Sequence, residues 1–494
     1  MRHLGFAFFI GLVSAFGFAP WSLWPLTLAA FALLLWLIET APNLRSALAR
    51  GWWFGVGQFA LGLNWIATAF TYQAAMPAWL GWIAVVLLSL YLAVFPAAAA
   101  GLAWRWGRKR RLALVLILAA AWIVTEWLRA TLFTGFAWNP VGVALVPSGL
   151  AGIAQWVGTY ALSGVAVLFG GGLFLAAHRG NRSSAALVLA GIIGAGAAAW
   201  AAAPSPPQTG TAIRIVQPNI GQQNKWDPGF EAENFRRLAG LSGRPGTEPR
   251  LILWPEAATP DFLSIEPGAR RRIAALLGPR DLLLLGGVEL AFDAQGEPVA
   301  AYNSLFALDP QGRLLGRYDK AHLVPYGEYL PMRPILSAIG LSRLAPGALD
   351  FLSGPGPRTL DLPGFGRAGV QICYEIIFSG QVVDRANRPG FIFNPSNDAW
   401  FGAWGPPQHL AQARLRAIEE GLPVLRATPT GISAVIDARG RLLASVPMGE
   451  GAAIEGRLPS ASPPTLFARF GNLLAFLVAG LLVAAAIAVR RKSG

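Results

Sequence analysis

Three segments of the chain place a side chain that can do chemistry directly after a short run of strand-forming residues. Glu256 follows the apolar run 251–254, Lys320 follows a more polar run, and Cys373, the only cysteine among 494 residues, follows the apolar run 369–372. Runs of this length and composition are typical of strands. Open α/β sheets place their reacting groups at strand ends. We therefore expect a carboxylate, an amine and a thiol to converge at one place.

These three groups are the parts needed for acyl transfer through a covalent intermediate. A free thiol has a pKa of about 8.5 and needs a nearby base to activate it at neutral pH. We expect Glu256, held beside Lys320 and shielded by Trp254, to take the proton of Cys373 and later return it. Lys320 would face the carbonyl oxygen, whose negative charge develops in the tetrahedral intermediate. Each residue alone also fits a structural role, because a lone cysteine is often a small buried hydrophobe.

The elements that must position these groups form a layered α/β domain. After residue 204 the apolar runs shorten to strand length and alternate with polar helical stretches, a pattern typical of such domains. Pro/Ser-rich joints bound the region at 204–207 and near residue 459. Strands are expected at 212–217, 251–254, 282–288, 304–308, 313–318, 369–372, 391–394, 424–427 and 432–437, and helices at 229–241, 267–277 and 406–421.

The remainder of the chain has the composition of a membrane protein. Hydrophobic residues are 54% of the chain, charged residues are 13%, and the mean hydropathy is +0.47. An average soluble protein has about 25% charged residues. Apolar segments near the ~20 residues that a spanning helix needs predict about eight transmembrane helices. They lie at 4–18, 21–38, 51–70, 79–103, 112–132, 157–177, 185–203 and 466–489.

The charged residues between these segments predict the orientation of the chain. Lys and Arg concentrate in the loops after the second, fourth and sixth segments and in the tail after the eighth. Under the positive-inside rule these loops and both termini are cytoplasmic. We therefore predict three regions. Residues 1–203 form transmembrane helices one to seven, residues 204–458 form a catalytic domain on the outer side of the membrane, and residues 459–494 form the last transmembrane helix and a basic tail.

Composition also argues against a nucleic-acid-binding protein, a metalloprotein, a disulfide-stabilised protein and a transporter. The net charge of +14 comes without a basic patch interleaved with aromatics, so we expect no nucleic-acid partner. One cysteine and four histidines without metal-ligand spacing predict no disulfide framework and no metal site. A transporter with an accessory domain would carry ionisable residues at the membrane midplane. The predicted spans are nearly free of them, which disfavours that class.

Taken together, the motifs resemble the nitrilase superfamily, also called carbon-nitrogen hydrolases. The resemblance rests on WPE at 254–256, on Lys320 with HLVPYGEY at 322–329, and on CYE at 373–375. Further motifs and the surrounding spans narrow it to the apolipoprotein N-acyltransferases. These motifs are KWDP at 225–228, YNSL at 302–305 and NPSNDAWFG at 394–402.

This resemblance implies an αββα sandwich on the periplasmic side of an eight-helix bundle in the bacterial inner membrane. It implies transfer of a fatty acyl chain from a phospholipid to the α-amine of the diacylglyceryl-modified N-terminal cysteine of an apolipoprotein. No cofactor is expected. A membrane-anchored amidase or nitrile hydrolase, with water as acceptor, is the competing enzyme class. Seven leading spans exceed what an anchor needs, which favours a lipid substrate.

The resemblance also implies roles for individual residues. Glu256 matches a general base, Lys320 an oxyanion-stabilising lysine, Cys373 the nucleophile and Glu328 a further essential carboxylate. Substrate-binding or gating roles are implied for Trp226, Asn303, Tyr374, Glu375 and Trp400.

Four features lie outside this core of motifs. Segment 427–431 reads ATPTG, with Pro429 where the family usually has Asn nearby, and segment 401–406 is about one residue short. These departures leave His409 without an assigned role, so it is interpreted as structural. The apolar segment 331–346 is interpreted as a movable lid on the outer leaflet or as an arm packed on the domain.

The fifth predicted span carries two charges near its outer end. Glu126 and Arg129 are three residues apart, so on a helix they face the same side. We expect them to form an ion pair that lines the mouth of the bundle or lies at the membrane interface.

Overall fold

The structure, a computed structural model, describes residues 2–72, 77–202, 208–338 and 349–491. Residues 339–346 of the predicted lid lie outside the described residues, which include its first half, 331–338, with the short helix Arg333–Ala338. The helices are α1 Arg2–Ala15, α2 Trp24–Glu39, α3 Leu44–Gly62, α4 Ile66–Ala69, α5 Leu80–Leu92, α6 Val94–Gly107, α7 Arg111–Thr131, α8 Ala154–Ala176, α9 Arg182–Ala202, α10 Gln222–Lys225, α11 Glu231–Ser242, α12 Pro267–Ala274, α13 Arg333–Ala338, α14 Gly405–Glu420, α15 Leu466–Phe470 and α16 Leu473–Arg491.

Within the described residues, five helical segments are long and apolar enough to cross a membrane. They are Leu80–Gly107, Arg111–Thr131, Leu150–Ala176, Arg179–Ala202 and Leu473–Arg491. Helices α1 and α2 are apolar but have 14 and 16 residues, short of the ~20 that a perpendicular crossing needs. Helix α3 lies outside the set of five and carries two arginines, Arg45 and Arg50. The predicted count of about eight is therefore not confirmed.

The predicted contact between Glu126 and Arg129 forms inside the bundle. Arg129 Nη2 lies 3.7 Å from Glu126 Oε1, and both side chains are buried. Arg129 also donates to the carbonyl oxygens of Phe136 and Trp138, at 3.0 and 2.8 Å. Glu126 accepts from the backbone of Val141 at 2.9 Å. The pair thus holds the chain that leaves α7 against the bundle.

Two six-stranded sheets form the α/β domain. Their orders are β12-β1-β2-β3-β4-β5 and β11-β10-β9-β8-β7-β6, with the centre of each sheet parallel and its margins antiparallel. The strands are β1 Gln208–Gln217, β2 Arg250–Leu253, β3 Leu282–Phe292, β4 Pro298–Leu308, β5 Leu314–Asp319, β6 Thr359–Leu362, β7 Gly366–Val370, β8 Phe391–Pro395, β9 Val424–Ala427, β10 Ser433–Ile436, β11 Leu442–Val446 and β12 Ala452–Pro459. Strands β6, β11 and β12 were not among those predicted.

The first sheet separates two apolar layers because strand side chains alternate between its faces. Leu251 and Leu253 of β2 face the core shared with the second sheet, whereas Ile252 and Trp254 face the outer layer under α11 and α12. The indole nitrogen of Trp254 donates there to Ser242 Oγ at 2.8 Å. The expectation that Trp254 shields Glu256 is therefore wrong, since the indole points to the opposite face of the sheet.

Helix α14 lies between the second sheet and the membrane bundle. At one end, the indole nitrogen of Trp138 donates to Gln408 Oε1 at 2.8 Å. At the other end, Glu419 Oε1 accepts from the backbone of Thr159 at 2.6 Å, where Gly158 in the left-handed region (φ 78°) kinks α8. Because buried residues of both parts belong to one continuous apolar cluster, the bundle and the domain pack as a unit.

Candidate active site

Strands of the first sheet bring three of the predicted site residues together. Glu256 follows β2, Asn303 lies within β4 and Lys320 follows β5. The backbone amide of Lys320 donates to the carbonyl oxygen of Asn303 at 2.9 Å. These positions are far apart in sequence, and β3 separates β2 from β4 in the sheet. The side chains of Glu256 and Asn303 nevertheless meet, because Asn303 Nδ2 donates to Glu256 Oε1 at 2.7 Å.

The ammonium of Lys320 lies between two carboxylates. Its Nζ is 2.9 Å from Glu328 Oε1 and 3.4 Å from Glu256 Oε1. Asn303 Nδ2 donates to the same two oxygens, at 2.9 and 2.7 Å. The Lys320 side chain is only 1% exposed, and a charge this buried is tolerated only when it is paired. The four side chains therefore form one closed polar cluster.

Glu328 is fixed by the turn that carries it. Its Oε2 accepts from the backbone of Val324 at 2.8 Å, and its own amide donates to the Val324 carbonyl at 2.8 Å. Tyr326, in the middle of this turn, adopts a left-handed φ of 61°. One oxygen of the Glu328 carboxylate is thus held by the backbone, and the other faces the side chains of Lys320 and Asn303.

Cys373 follows β7 and begins a short 3₁₀ turn, Cys373–Ile377. Its φ is 52°, in the left-handed region that residues with a side chain rarely adopt. Such a conformation costs on the order of 1–3 kcal/mol and persists only when the surroundings hold it. The predicted nucleophile is therefore on a tight, strained turn at the end of a strand.

Glu375 ties this turn to the lysine segment. Its Oε1 accepts from the Tyr318 hydroxyl at 2.8 Å and from the backbones of Ala321 and His322 at 2.8 and 3.1 Å. Its Oε2 accepts from the backbone of Ile372 at 2.7 Å. Burial raises the pKa of Glu375 to about 7, although these donors favour the charged form. Glu375 is thus a brace between the two segments and lies apart from the Lys320 cluster.

Charges in the cluster set the protonation of Glu256 and Lys320. Burial raises the pKa of Glu256, but the charges of Lys320 and then Lys225 outweigh it, so the net direction is down. Burial lowers the pKa of Lys320, and the charges of Glu328 and Glu256 outweigh that effect, so the net direction is up. Glu256 is therefore a carboxylate and Lys320 an ammonium at neutral pH.

The Cys373 thiol, unlike Glu256 and Lys320, is held in its neutral form. Burial, and then the negative charge of Glu256, raise its pKa well above the ordinary value. The Cys373 thiol is in turn among the groups that lower the pKa of Glu256. Glu256 Oε2 is buried and has no hydrogen-bond partner among the described residues. The resting pair is thus a neutral thiol beside a carboxylate, and the proton must move as the sulfur attacks.

The predicted aromatic residues surround this cluster at different depths. Tyr374 is buried, and its ring packs on those of His322 and Phe378, at 5.8 and 5.3 Å between centroids. Trp226 is 38% exposed, with the ammonium of Lys225 5.7 Å from its ring centroid. Trp400 is half-buried and contacts the ring of Tyr72, edge to face, at 5.7 Å. These contacts place the two tryptophans outside the ionisable cluster.

Lys225 is a site residue that was not predicted. Its Nζ donates to the backbone oxygen of Glu256 at 2.9 Å. Burial lowers its pKa to about 8, although the charges of Glu256 and Cys373 oppose that shift. Its position in the KWDP motif, just before Trp226, was the one sequence feature that pointed to it.

A second group missed by the sequence interpretation lies behind the nucleophile. Asp398, His409 and Arg426 are all buried and bonded to one another. His409 Nε2 lies 3.0 Å from the carbonyl oxygen of Cys373, so the purely structural interpretation of this histidine is incomplete. The motif NPSNDAWFG contains Asp398 but gives no sign of its partners.

This group also bears on metal binding. The ligand atoms of Cys373, Asp398 and His409 lie within 4.8 Å of one another in the described part of the chain. Arg426 Nη2 already donates to both Asp398 oxygens, at 2.7 and 2.5 Å. The guanidinium thus supplies the positive charge that a cation would bring, and the donor set does not favour a metal.

The two sheets, with a carboxylate, an amine and a thiol at their strand ends, define a protein of the carbon-nitrogen hydrolase class. The family model described as carbon-nitrogen hydrolase matches residues 213–458. The model of the apolipoprotein N-acyltransferase N-terminal domain matches residues 10–172.

Curated relatives extend this match over the whole chain. Apolipoprotein N-acyltransferase of Bradyrhizobium diazoefficiens is 38% identical over 509 residues, covering 98% of this chain and 94% of that protein. The protein of the same name from Caulobacter vibrioides is 38% identical over 511 residues, covering 99% and 94%. Among solved structures, Saccharomyces cerevisiae Nit3 has a TM-score of 0.36 at 20% identity, covering 52% of this chain and 93% of Nit3. The chain belongs to the apolipoprotein N-acyltransferase family.

Proposed function

We propose that the protein moves a fatty acyl chain from a membrane phospholipid to the N-terminal amine of a diacylglyceryl-modified apolipoprotein. Family membership supports lipoprotein N-acylation. The observation that carries the chemistry is the position of Lys320, bonded to Glu256 and Glu328 in the site that also holds Cys373. That arrangement offers a base, a cation for a developing oxyanion and a nucleophile.

The first half-reaction forms a thioester. The sulfur of Cys373 attacks the ester carbonyl of the phospholipid while Glu256 takes the thiol proton. Lys320 faces the oxygen that becomes negative, a contact worth on the order of 10²–10³ in rate. The bond between the carbonyl carbon and the glyceryl oxygen breaks, Glu256 returns the proton to that oxygen, and a lysophospholipid leaves.

The second half-reaction transfers the chain to the acceptor. An α-amine has a pKa of about 7.7–8.0, so part of it is neutral at working pH. The amine attacks the thioester, Glu256 takes the proton of the nitrogen and gives it to the departing sulfur of Cys373. An amide forms, the carbon–sulfur bond breaks, and the kinetics are ping-pong because the first product leaves before the acceptor binds.

The remaining predicted residues support this cycle. Glu328 and Asn303 keep Lys320 aligned, and Glu375 holds the nucleophile turn to the lysine segment. We assign Tyr374 to the wall of the acyl site, since it is buried next to Cys373. We assign Trp226 and Trp400, which lie farther out, to substrate binding or gating.

The membrane arrangement that suits this chemistry has three parts. Residues 1–203 and 459–494 form the bacterial inner-membrane bundle, with both termini cytoplasmic. Residues 204–458 form the catalytic domain on the periplasmic side. The basic loops support this orientation, and the shared core of bundle and domain supports a site at the membrane surface, where donor chain and acceptor meet.

The test uses the full chain in lipid nanodiscs. We expect it to convert a phospholipid with a labelled acyl chain and a diacylglyceryl-cysteine peptide into N-acyl peptide and lysophospholipid. Cys373→Ala, the matched control, should form neither product. Hydrolysis of soluble amides without acyl transfer from phospholipid would instead identify a membrane-anchored amidase and contradict the proposal.

A further inference from the structure

We infer that His409 is a positioning residue, which holds the peptide of the nucleophile in its strained conformation and joins it to the membrane bundle. The inference rests on the proposed function for its kinetic consequence. Its structural basis is independent of that function, because it lies in contacts around Cys373, α14 and Trp138.

The contact with the nucleophile is a hydrogen bond between completely buried groups. His409 Nε2 lies 3.0 Å from the Cys373 carbonyl oxygen, and His409 Nδ1 lies 2.9 Å from Arg426 Nη2. Burial, and then the charge of Arg426, lower the pKa of His409, which favours the neutral ring. A neutral ring with its proton on Nε2 donates to Cys373 and accepts at Nδ1 from Arg426 Nη2. Asp398 Oδ1 also lies 2.9 Å from His409 Nδ1, and the same Arg426 Nη2 donates to that oxygen at 2.7 Å.

Because the peptide unit is planar, this hydrogen bond to the backbone also affects the position of the Cys373 sulfur. The unit between Cys373 and Tyr374 is planar, so fixing its carbonyl oxygen fixes the whole peptide, including the Tyr374 N–H on the opposite side. Cys373 has a φ of 52°, and relaxation to an ordinary conformation would rotate this peptide and move the sulfur. His409 resists that rotation from the carboxyl-terminal side of the nucleophile.

Other hydrogen bonds hold the peptides on the amino-terminal side of Cys373. Asn394 Nδ2 donates to the carbonyl oxygen of Gln371 at 2.6 Å, and the amide of Ile372 donates to Glu375. Arg426 bonds Asn394, Ser396 and Asp398 as well as His409. One buried network therefore clamps the peptides on both sides of the nucleophile.

The bundle reaches His409 through aromatic contacts. The ring of Trp138, which follows α7, lies 5.3 Å from the His409 ring centroid at 36°. Trp65 packs on Trp138 at 4.4 Å, and the Trp138 indole is anchored to Gln408. Phe401 packs against the same imidazole at 5.6 Å. A shift of these aromatic rings would therefore displace the imidazole of His409, which holds the Cys373 peptide.

A role limited to filling space does not account for these groups. An apolar side chain of similar volume would fill the same space without burying polar atoms, and buried polar networks are costly unless every member is bonded. Here His409 bonds through both ring nitrogens, and the partner of Nε2 is the backbone carbonyl oxygen of Cys373. The bonding pattern points to control of the Cys373 peptide.

The experiment compares His409→Leu, which removes the donor, with His409→Gln, which keeps an N–H of similar reach. The control is His178→Leu, because His178 also contacts a helix carbonyl, that of Phe174 at 2.9 Å, far from the site. Single-turnover formation of the acyl-enzyme is followed at several phospholipid concentrations. Melting temperature in detergent reports folding, and iodoacetamide alkylation at alkaline pH reports the reactivity of the Cys373 thiol.

We expect His409→Leu to lower the maximal acylation rate about 10- to 100-fold, with half-saturating phospholipid changed less than about threefold. His409→Gln should recover to within about fivefold of the parent chain, and His178→Leu should match the parent. If His409→Leu does not fold, His409→Asn replaces it, because its shorter amide cannot reach the carbonyl. It should then be slow where His409→Gln is fast.

Two results would overturn the inference. One is a folded His409→Leu or His409→Asn that acylates within about threefold of the parent. The other is a His409→Gln as slow as these variants. If the parent forms no acyl-enzyme, the proposed function fails, and alkylation of Cys373 by iodoacetamide then decides this inference. An alkylation rate that differs from the parent in His409→Leu and returns to the parent value in His409→Gln supports it. Equal alkylation rates in all three chains contradict it.

Discussion

Lys320 Nζ lies closer to Glu328 Oε1, at 2.9 Å, than to Glu256 Oε1, at 3.4 Å. The lysine is therefore anchored by a carboxylate that has no assigned proton-transfer role. In the proposed cycle, this arrangement leaves Glu256 free to exchange a proton with Cys373, while the negative charge of Glu328 keeps Lys320 protonated. Asn303 Nδ2 donates to both carboxylates and bridges them.

Glu328→Gln tests the anchoring role. The amide keeps the shape but removes the charge, so Lys320 is held less firmly and aligns less well with the oxyanion. We expect acyl-enzyme formation to fall about 10²-fold with little change in the half-saturating phospholipid concentration. Glu233→Gln is a suitable control, because the ion pairs of Glu233 within the described part of the chain are helix pairs with the exposed Arg236 and Arg237. Equal rates in both variants would contradict the role of Glu328.

Glu256→Gln should change two reactions of Cys373 in opposite directions. The charge of Glu256 raises the pKa of the thiol, so its removal lowers that pKa and moves the pH profile of iodoacetamide alkylation to lower pH. Acylation should fall about 10²- to 10⁴-fold, because the base is lost. Alkylation and acylation are measured on the same preparation. A parallel fall of both would indicate disruption of the site instead of loss of a base.

Glu375→Gln should alter the pH dependence of stability. The folded pKa of Glu375 is about 7, raised from an ordinary 4.5, so the folded chain holds this proton where the unfolded chain has lost it. Its contribution to stability is therefore fully present below pH 4.5 and declines as the pH rises to about 7. The melting temperature of the parent chain, relative to the variant, should fall across that window and level off above it. A constant difference would contradict the pKa assignment.

Glu419→Ala tests the joint between bundle and domain. Glu419 pairs with Arg416 at 2.8 Å and accepts from Thr159 and Ser379. Removing one partner of a buried pair costs about 3–5 kcal/mol. We expect a clear drop in melting temperature in detergent. Glu39→Ala provides the comparison, since Glu39 pairs with the half-exposed Arg111 and should lose far less. Similar losses in both would mean that the joint is not specially stabilised.

The strand-end residues could be predicted because the signal is local. A short apolar run followed by Glu256 or Cys373 shows both the strand and its end, and the structure brings Glu256, Asn303, Lys320 and Glu328 into one cluster. Two of the three missed strands, β11 and β12, lack that signal. Most residues of β11 and β12 are at least partly exposed, so these strands lack a continuous apolar run.

The partners behind the nucleophile could not be predicted for a different reason. His409 lies 36 residues after Cys373 on a helix whose buried face is set by its position between the second sheet and the bundle. The direction of Trp254 likewise depended on which face of β2 the sheet presents to the core. Both are consequences of how layers pack, and spacing along the chain does not encode them.

The most direct measurement of the central claim is the intact mass of the full chain after incubation with phospholipid in the absence of acceptor. We predict a mass increase of one acyl chain, located on Cys373, absent in Cys373→Ser and lost when a diacylglyceryl-cysteine peptide is added. A native chain that turns over phospholipid with no adduct at any time, or with an adduct elsewhere, would contradict the account.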